Sequence, residues 1–199
     1  RGPELTGVKL YSGFAVGRAD APYCRPEYKD AFLVNSLFVA NNIRRWLAEG
    51  YGQTIPAFLG EIPGLFRDGT LPVDVALLNL SLPNAEGYCS YGVSADLAVS
   101  AVECAKIVIG QINPRMPFSY GDALIHVSRL AAVVEVDEPL VEVPTAAPTE
   151  TETRIGRSIA ELTPDGATLQ IGAGGIPSAV LAALKDHNRQ GLHTEAMTD

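Results

Sequence analysis

Cysteine, histidine and methionine are scarce in this 199-residue chain: three, three and two residues, with Cys24, Cys89 and Cys104 far apart. There is no C-x-x-C pair and no His/Cys group at ligand spacing. That excludes zinc-finger and thioredoxin-like readings and leaves no metal site to assign. Free thiols packed as small apolar residues fit a reducing, cytoplasmic compartment. Positive charge is also short: 15 Lys and Arg stand against 23 Asp and Glu, a formal net charge of -8. With no Lys/Arg cluster, phosphate backbones find no concentrated counter-charge, so nucleic acid is excluded as a partner. A small anion is still within reach, because backbone amides and one or two basic residues suffice to hold it. No apolar run approaches the ~18 residues of a membrane span, and no signal-peptide pattern opens the chain. An initiator methionine is missing as well, and both ends read as breaks in a longer polypeptide.

What is present is apolar and patterned. Hydrophobic residues make up 47% of the chain and charged residues 19%, enough for a sizeable core. Strand-like runs at 8–14, 31–40, 73–81, 106–113 and 130–136 alternate with helical patterns at 41–50 and 95–107. The first helix is expected to take Asn41 or Asn42 as cap and Gly50 as stop, and the second to present Leu97, Val99, Val102 and Ile107. The run "VDVALLNLS" is nearly continuous in apolar residues, as a strand buried on both faces requires. Alternating β and α signals predict an α/β fold built on a parallel sheet.

The composition then shifts. "DEPLVEVPTAAPTETETR" carries Pro139, Pro144 and Pro148 among Thr and Glu and reads as an extended linker. The expected organisation is a nearly complete α/β domain over 1–138, a linker over 139–153, and the beginning of a second α/β domain over 154–199. In the second domain a helix should bury Ile155, Ile159 and Leu162 and stop at Pro164 and Gly166.

The sharpest local feature is "LQIGAGGIP", a strand running into a glycine turn with Pro177 in the first helical turn. Ile176, Val180, Leu181 and Leu184 would form one face of that helix. Amides at Gly174, Gly175 and Ile176 would point out from the carboxyl end of the strand, where α/β folds bind ligands. Three readings compete: a tight turn that merely needs glycine, a dinucleotide fingerprint, and an oxyanion-binding turn. The fingerprint wants Gly or Ala where Pro177 stands. Glu195, at roughly the 20-residue spacing of a ribose-binding acid, is alternatively a nucleophile or general base facing the amides, or a solvated strand-end glutamate. His187 sits where a helix C-terminus favours a cation, and His126 reads as a hydrogen-bonded core residue. Two polar loops, 83–92 and 112–122, each follow a buried strand and are well sited for ligands.

Several segments together, "GTLPVDVALLNLSLPNAEGYCSYGVSADLA", "AKIVIGQINPRMPFSYGDALIHVS", "DGATLQIGAGGIPSAVLAALKDH" and "GLHTEAMTD", resemble the acetyl-CoA hydrolase/transferase family, a branch of the class I CoA-transferases. The resemblance covers nearly the whole chain. It implies two similar α/β CoA-transferase domains built on parallel sheets, with an active site in the cleft between them. It implies a glutamate nucleophile in a Thr-Glu pair, here Thr194-Glu195, working by ping-pong exchange through an acyl-glutamyl anhydride and a glutamyl-CoA thioester. It assigns the amides around Gly174, Gly175 and Ile176 to the thioester oxygen, and Asn113, Pro114 and Arg115 to the acyl and carboxylate side. Coenzyme A is then a substrate, with no bound cofactor. The partners are acyl-CoA and short-chain carboxylates, in a homo-oligomer without membrane attachment. A hydrolase of the same fold is the alternative activity, and a dinucleotide-binding module the alternative class. Family members are longer, so the isolated 199 residues are expected to be inactive. The turn reads "GAGGIP" where many members have "GIGAIP", and Ala196 stands where a larger apolar residue is common.

Overall fold

A computed structural model describes residues 5–13, 21–142 and 146–196. Phe14 at the end of the first expected strand, Pro144 in the expected linker, and Met197 lie outside the described residues. The chain divides into two compact units, Arg1–Val141 and Glu142–Asp199.

Unit 1 runs β1 (Val8–Ser12), β2 (Phe32–Ser36), α1 (Asn41–Ala48), β3 (Gln53–Thr54), α2 (Ile62–Arg67), β4 (Val75–Leu80), β5 (Tyr88–Ser90), α3 (Ala98–Cys104), β6 (Ile107–Ile112), β7 (Leu124–His126) and β8 (Ala132–Glu135). Two parallel three-stranded sheets, β1-β2-β3 and β4-β6-β8, carry it, with an antiparallel β5–β7 pair at 88–90 and 124–126. In the second sheet Leu78 pairs with Gly110 and Gly110 with Val133. Ala76, Leu78, Leu80, Val108 and Ile112 face a core shared with Val102 of α3 and with Cys89, Tyr91 and Ile125. Fully burying such an aliphatic side chain contributes about 1.5–3 kcal/mol. The opposite face is apolar too, but Val75 and Leu77 are 44% and 71% exposed, so the run expected to be covered on both faces is covered on one.

Local chemistry moves several boundaries. Ala40, not Asn41 or Asn42, occupies the cap position of α1, with no side-chain cap bond. Gly50 closes the helix at φ +85°, as a stop should. Leu97 and Val102 of the α3 segment are buried, while Ile107 belongs to β6.

Unit 2 contains α4 (Glu150–Leu162), β9 (Thr168–Leu169), α5 (Gly175–Ala183) and β10 (Gly191–Leu192). α4 begins inside the expected linker. Thr149 and Glu152 form a capping box: Glu152 N–H donates to Thr149 Oγ1 at 3.2 Å, and Thr149 N–H donates to Glu152 Oε2 at 2.7 Å. Side by side, α4 and α5 pack so closely that a Cβ on Gly156 would lie 2.6 Å from the Ala179 carbonyl oxygen. Small residues therefore make the seam. Ala160 and Ala179 are buried, while Ile155, Ile159 and Leu162 of the expected apolar face are 37%, 39% and 83% exposed. On α5 the buried position is Ala179, Leu184 just past its end is buried too, and Ile176 is 42% exposed.

Candidate functional site

The glycine turn and Glu195 share one end of a parallel pair. β9 and β10 run in register, Thr168 beside Gly191 and Leu169 beside Leu192. The ladder continues with His193 N–H donating to Leu169 O at 2.9 Å, and there the regular bonding stops. Thr194 takes over with its side chain: its hydroxyl accepts from Ile171 N–H at 3.0 Å and donates to Ile171 O at 2.5 Å. That pair of hydrogen bonds ties the carboxyl ends of the two strands together, and the exposed Glu195 is the next residue.

Two of the turn's glycines have separate physical reasons. Gly174 caps α5 at φ +137°, a conformation closed to side chains. Gly175 has an ordinary φ, but a Cβ there would fall on the Glu152 carboxylate, onto Oε1 and 2.6 Å from Cδ. Gly172 meets nothing within 4 Å. Pro177 is the third residue of α5, so the amides of Gly175 and Ile176 begin the helix without intrahelical acceptors. Among the described residues nothing accepts from the Gly174, Gly175 or Ile176 amides. Such an end can stabilise negative charge developing on a carbonyl oxygen.

It is less suited to a full phosphate. Thr149 N–H and O–H both donate to Glu152 Oε2, which holds the Glu152 carboxyl below the usual carboxylate range. An anion bound at the head of α5 meets that like charge beside Gly175. Sequence reading missed Glu152 as a neighbour of the turn. The Thr149-x-x-Glu152 spacing was a visible signal for the cap, but the contact across to Gly175 was not.

The unit 1 candidates divide. Asn113 is buried and engaged at both ends of its amide: its Nδ2 donates to Glu138 O at 2.7 Å, and its Oδ1 accepts from Arg115 N–H at 3.1 Å. Those bonds shape the loop. Pro114 is exposed. The Arg115 side chain is 55% exposed and gives Nε to Asp137 Oδ1 at 2.6 Å, with no other partner for its guanidinium among the described residues. Ser81, Ser90 and Ser119, unremarked in the sequence, link the two polar loops through hydroxyls. His126 is half-exposed rather than a core residue. Its Nδ1 lies 2.8 Å from Ser128 Oγ, and its ring stands edge-on to Tyr88. His187 donates Nε2–H to Ala160 O at 3.2 Å, a structural use. Burial pushes the Cys89 thiol up, and the side chain has no exposed surface.

Among the described residues no cluster of three His, Cys, Asp or Glu could hold a metal, and no helix is long and apolar enough to cross a membrane. A groove of about 620 Å³ lies between α4 and α5, lined by Arg157, Lys185 and His187 over Ala160 and Ala179; neither the glycine turn nor Glu195 borders it.

Residues 5–144 match the family model of the acetyl-CoA hydrolase/transferase N-terminal domain. The chain is 40% identical over 193 residues to the 4-hydroxybutyrate coenzyme A transferase of Clostridium kluyveri, covering 97% of this chain and 44% of that protein. It is also 40% identical to the succinyl-CoA:acetate/propanoyl-CoA:succinate CoA transferase of Fasciola hepatica, covering 98% of this chain and 40% of that one. Among solved structures, 4-hydroxybutyrate CoA-transferase from Porphyromonas gingivalis superposes with a TM-score of 0.76 at 39% identity, covering 98% of this chain and 51% of that one. RipA from Yersinia pestis does so with a TM-score of 0.84 at 31% identity, covering 95% and 46%. This chain thus spans about half the length of the relatives it matches.

Proposed function

The chain belongs to the acetyl-CoA hydrolase/transferase family, and from that premise we propose that the polypeptide carrying it is an acyl-CoA:carboxylate CoA-transferase with Glu195 as nucleophile. The observation that carries the reading is the shared strand end. Thr194 ties Ile171 to the end of β10, so a free carboxylate and a row of unengaged amides belong to the same edge of one sheet.

The chemistry runs in four balanced steps. A Glu195 carboxylate oxygen attacks the thioester carbonyl carbon, the C–S bond breaks, and CoA leaves as thiolate with the bonding pair. The thiolate attacks the glutamyl carbonyl of the resulting anhydride and expels the acyl group as a carboxylate. The incoming carboxylate attacks the glutamyl-CoA carbonyl and releases the thiolate again. That thiolate attacks the acyl carbon of the new anhydride, which frees Glu195 and yields the new acyl-CoA. Each tetrahedral step places charge on a carbonyl oxygen, the need that the Gly175 and Ile176 amides would meet. For the carboxylate we take Arg115, whose guanidinium keeps unengaged N–H donors among the described residues.

The same reading makes 142–199 the opening part of a second domain. Its support is the apolar surface that a parallel α/β sheet normally covers, here Ile155, Ile159 and Leu162 in unit 2. Short-chain acyl-CoA and carboxylate substrates, a homo-oligomer and a cytoplasmic setting complete the proposal.

The test uses the whole polypeptide. Wild type should exchange CoA between acetyl-CoA and a short-chain carboxylate, and hydroxylamine should intercept a Glu195 thioester. Glu195→Ala should lower exchange by at least about 10³-fold with the fold intact. CoA release that needs no carboxylate acceptor would move the assignment to hydrolase. Full exchange by the alanine variant would remove Glu195 from the mechanism.

A further inference from the structure

We propose that Ser90 is a positioning residue for this reaction: with the half-buried Ser119 it forms a hydroxyl clasp that makes the loops after β4 and β6 one rigid rim and thereby fixes the place of Arg115. The assignment of that rim to the carboxylate side rests on the function proposed above; the clasp itself does not.

Ser90 has no exposed surface and lies beside Leu80 and Cys89, which are equally buried. A hydroxyl in such surroundings is unfavourable unless every capacity is used. Here each one is. Ser90 Oγ accepts from Gly92 N–H at 2.9 Å and from Ser119 N–H at 3.0 Å, which occupies both lone pairs. Ser119 Oγ lies 2.7 Å from Ser90 Oγ and 3.0 Å from Gly92 O. A carbonyl can only accept, so Ser119 gives its proton to Gly92 O. Ser90 must then donate to Ser119 Oγ. The direction of every proton in the clasp follows.

The clasp is anchored at both ends. Ser90 N–H donates to Ser81 Oγ at 2.8 Å, Ser81 Oγ donates to Leu82 O at 2.9 Å, and Ser81 N–H donates to Ser90 O at 3.0 Å. These bonds fix the exit from β4. On the other side the loop closes down on Gly92, where φ is +67° and a Cβ would land on Met116 Sδ and Cγ. Met116 is buried, and Met116 N–H donates to Asn113 O at 3.0 Å. Asn113 N–H in turn donates to Leu80 O at 2.9 Å. Ser81, Ser90, Ser119, Met116 and Asn113 thus form a closed circuit around the carboxyl ends of β4 and β6. Arg115 lies within it, its backbone held by Asn113 Oδ1 and its Nε by Asp137. Parallel sheets bind ligands at this end. A guanidinium needs its base held still to meet a planar carboxylate with two parallel bonds.

The test compares Ser90→Ala with the milder Ser119→Ala in the whole polypeptide. Ser119→Ala keeps the Ser119 N–H bond to Ser90 and removes the hydroxyl relay to Gly92 O. We expect the KM for the carboxylate acceptor to rise about 10-fold or more in Ser119→Ala. Formation of the Glu195–CoA adduct from acyl-CoA should change less than about 2-fold. Ser119→Thr, which keeps the hydroxyl, should restore the wild-type KM. Hydrogen exchange without substrate reads the clasp alone, and the Gly92 and Ser119 amides, which both donate to Ser90 Oγ, should lose protection in Ser90→Ala or, where that variant fails to fold, in Ser90→Cys, whose thiol is a weaker acceptor. Unchanged protection of both amides would overturn the clasp. A carboxylate KM that stays put, or one that rises only in proportion to a loss of adduct formation, would overturn the positioning role. Wild type that forms no adduct and exchanges no CoA would instead sink the proposed function, while the exchange result on the clasp would stand.

Discussion

In unit 1 the segments that follow β4 and β6 are held by side-chain oxygens: Ser81, Ser90 and Ser119 accept or donate at almost every point where the loops meet. In unit 2 the segment that follows β9, "GAGGIP", has no side-chain polar atom at all. The difference determines what each rim can offer. A rim whose amides are consumed by serine hydroxyls presents side chains, here Arg115. A rim of bare glycine leaves the Gly175 and Ile176 amides free and presents backbone donors, with the carboxylate of Glu195 on the same strand end. Fixed side-chain donors suit a substrate group that arrives already charged. Free amides, which lose no rotamer freedom, suit charge that appears only during reaction.

The comparison says that unit 2 holds its helix pair by close backbone approach rather than by hydroxyls. Gly156→Ala should break it most severely. The new Cβ would lie 2.6 Å from Ala179 O and 2.7 Å from Ala179 C, both backbone atoms of α5 that no rotamer can move. Forcing α4 and α5 apart should destabilise by about 3 kcal/mol, the upper end of overpacking effects. Denaturant titration of the whole polypeptide measures it. An unchanged midpoint would mean that the seam is not what holds the helices.

Next in size is Gly174→Ala. Here the space is open, the nearest atom being Pro177 Cδ at 3.9 Å, and the obstacle is φ of +137°. The cost should be about 2 kcal/mol, and relaxation of the turn should also withdraw the amides, so that exchange activity falls with stability. Gly172→Ala is the matched control. Nothing lies within 4 Å of its Cβ, so it should stay within about 0.5 kcal/mol of wild type. Equal losses at 172 and 174 would erase the distinction between a glycine that is needed and one that is merely tolerated.

How far this was readable from sequence depends on the range of each interaction. β4 and β6 were legible because each is a short apolar run soon followed by a proline, Pro83 after β4 and Pro114 after β6. The β5–β7 pair was not: Tyr88–Ser90 and Leu124–His126 are three residues each, and nothing local signals a pairing across that distance. The start of α4 was legible but misjudged, since Thr149 and Glu152 read as linker composition when their spacing was a capping box. The glycine turn and Glu195 were paired in the sequence, as amides and a carboxylate at neighbouring strand ends. The Thr194 bonds to Ile171 that join them, and the Ser90–Ser119 bond across 29 positions, exist only once the chain has folded. Local rules name candidate residues, and the long-range hydrogen bonds say which ones act together.

The smallest expected effect tests why position 175 is glycine. Its backbone would accept alanine, and the objection comes from Glu152, whose carboxylate is kept in place by Thr149. Gly175→Ala should therefore lower Tm in the wild-type background and have little effect in Glu152→Ala, a coupling that a double-mutant cycle isolates. Acid should reveal the same contact. Thr149 N–H and O–H hold the Glu152 carboxyl below its ordinary value, so the folded state prefers the ionised form. That stabilisation is complete above the ordinary carboxylate range and is lost as pH falls through the depressed value. Gly175→Ala pushes the carboxylate off Thr149, so its Tm should decline less over that acid window than wild type does. Glu152→Gln keeps the capping geometry without the charge and should show the shallowest decline of the three. If Gly175→Ala lowers Tm equally with and without Glu152, the demand for glycine comes from the backbone alone. The turn would then be built at both positions 174 and 175 by conformation, with the α4 cap only a bystander.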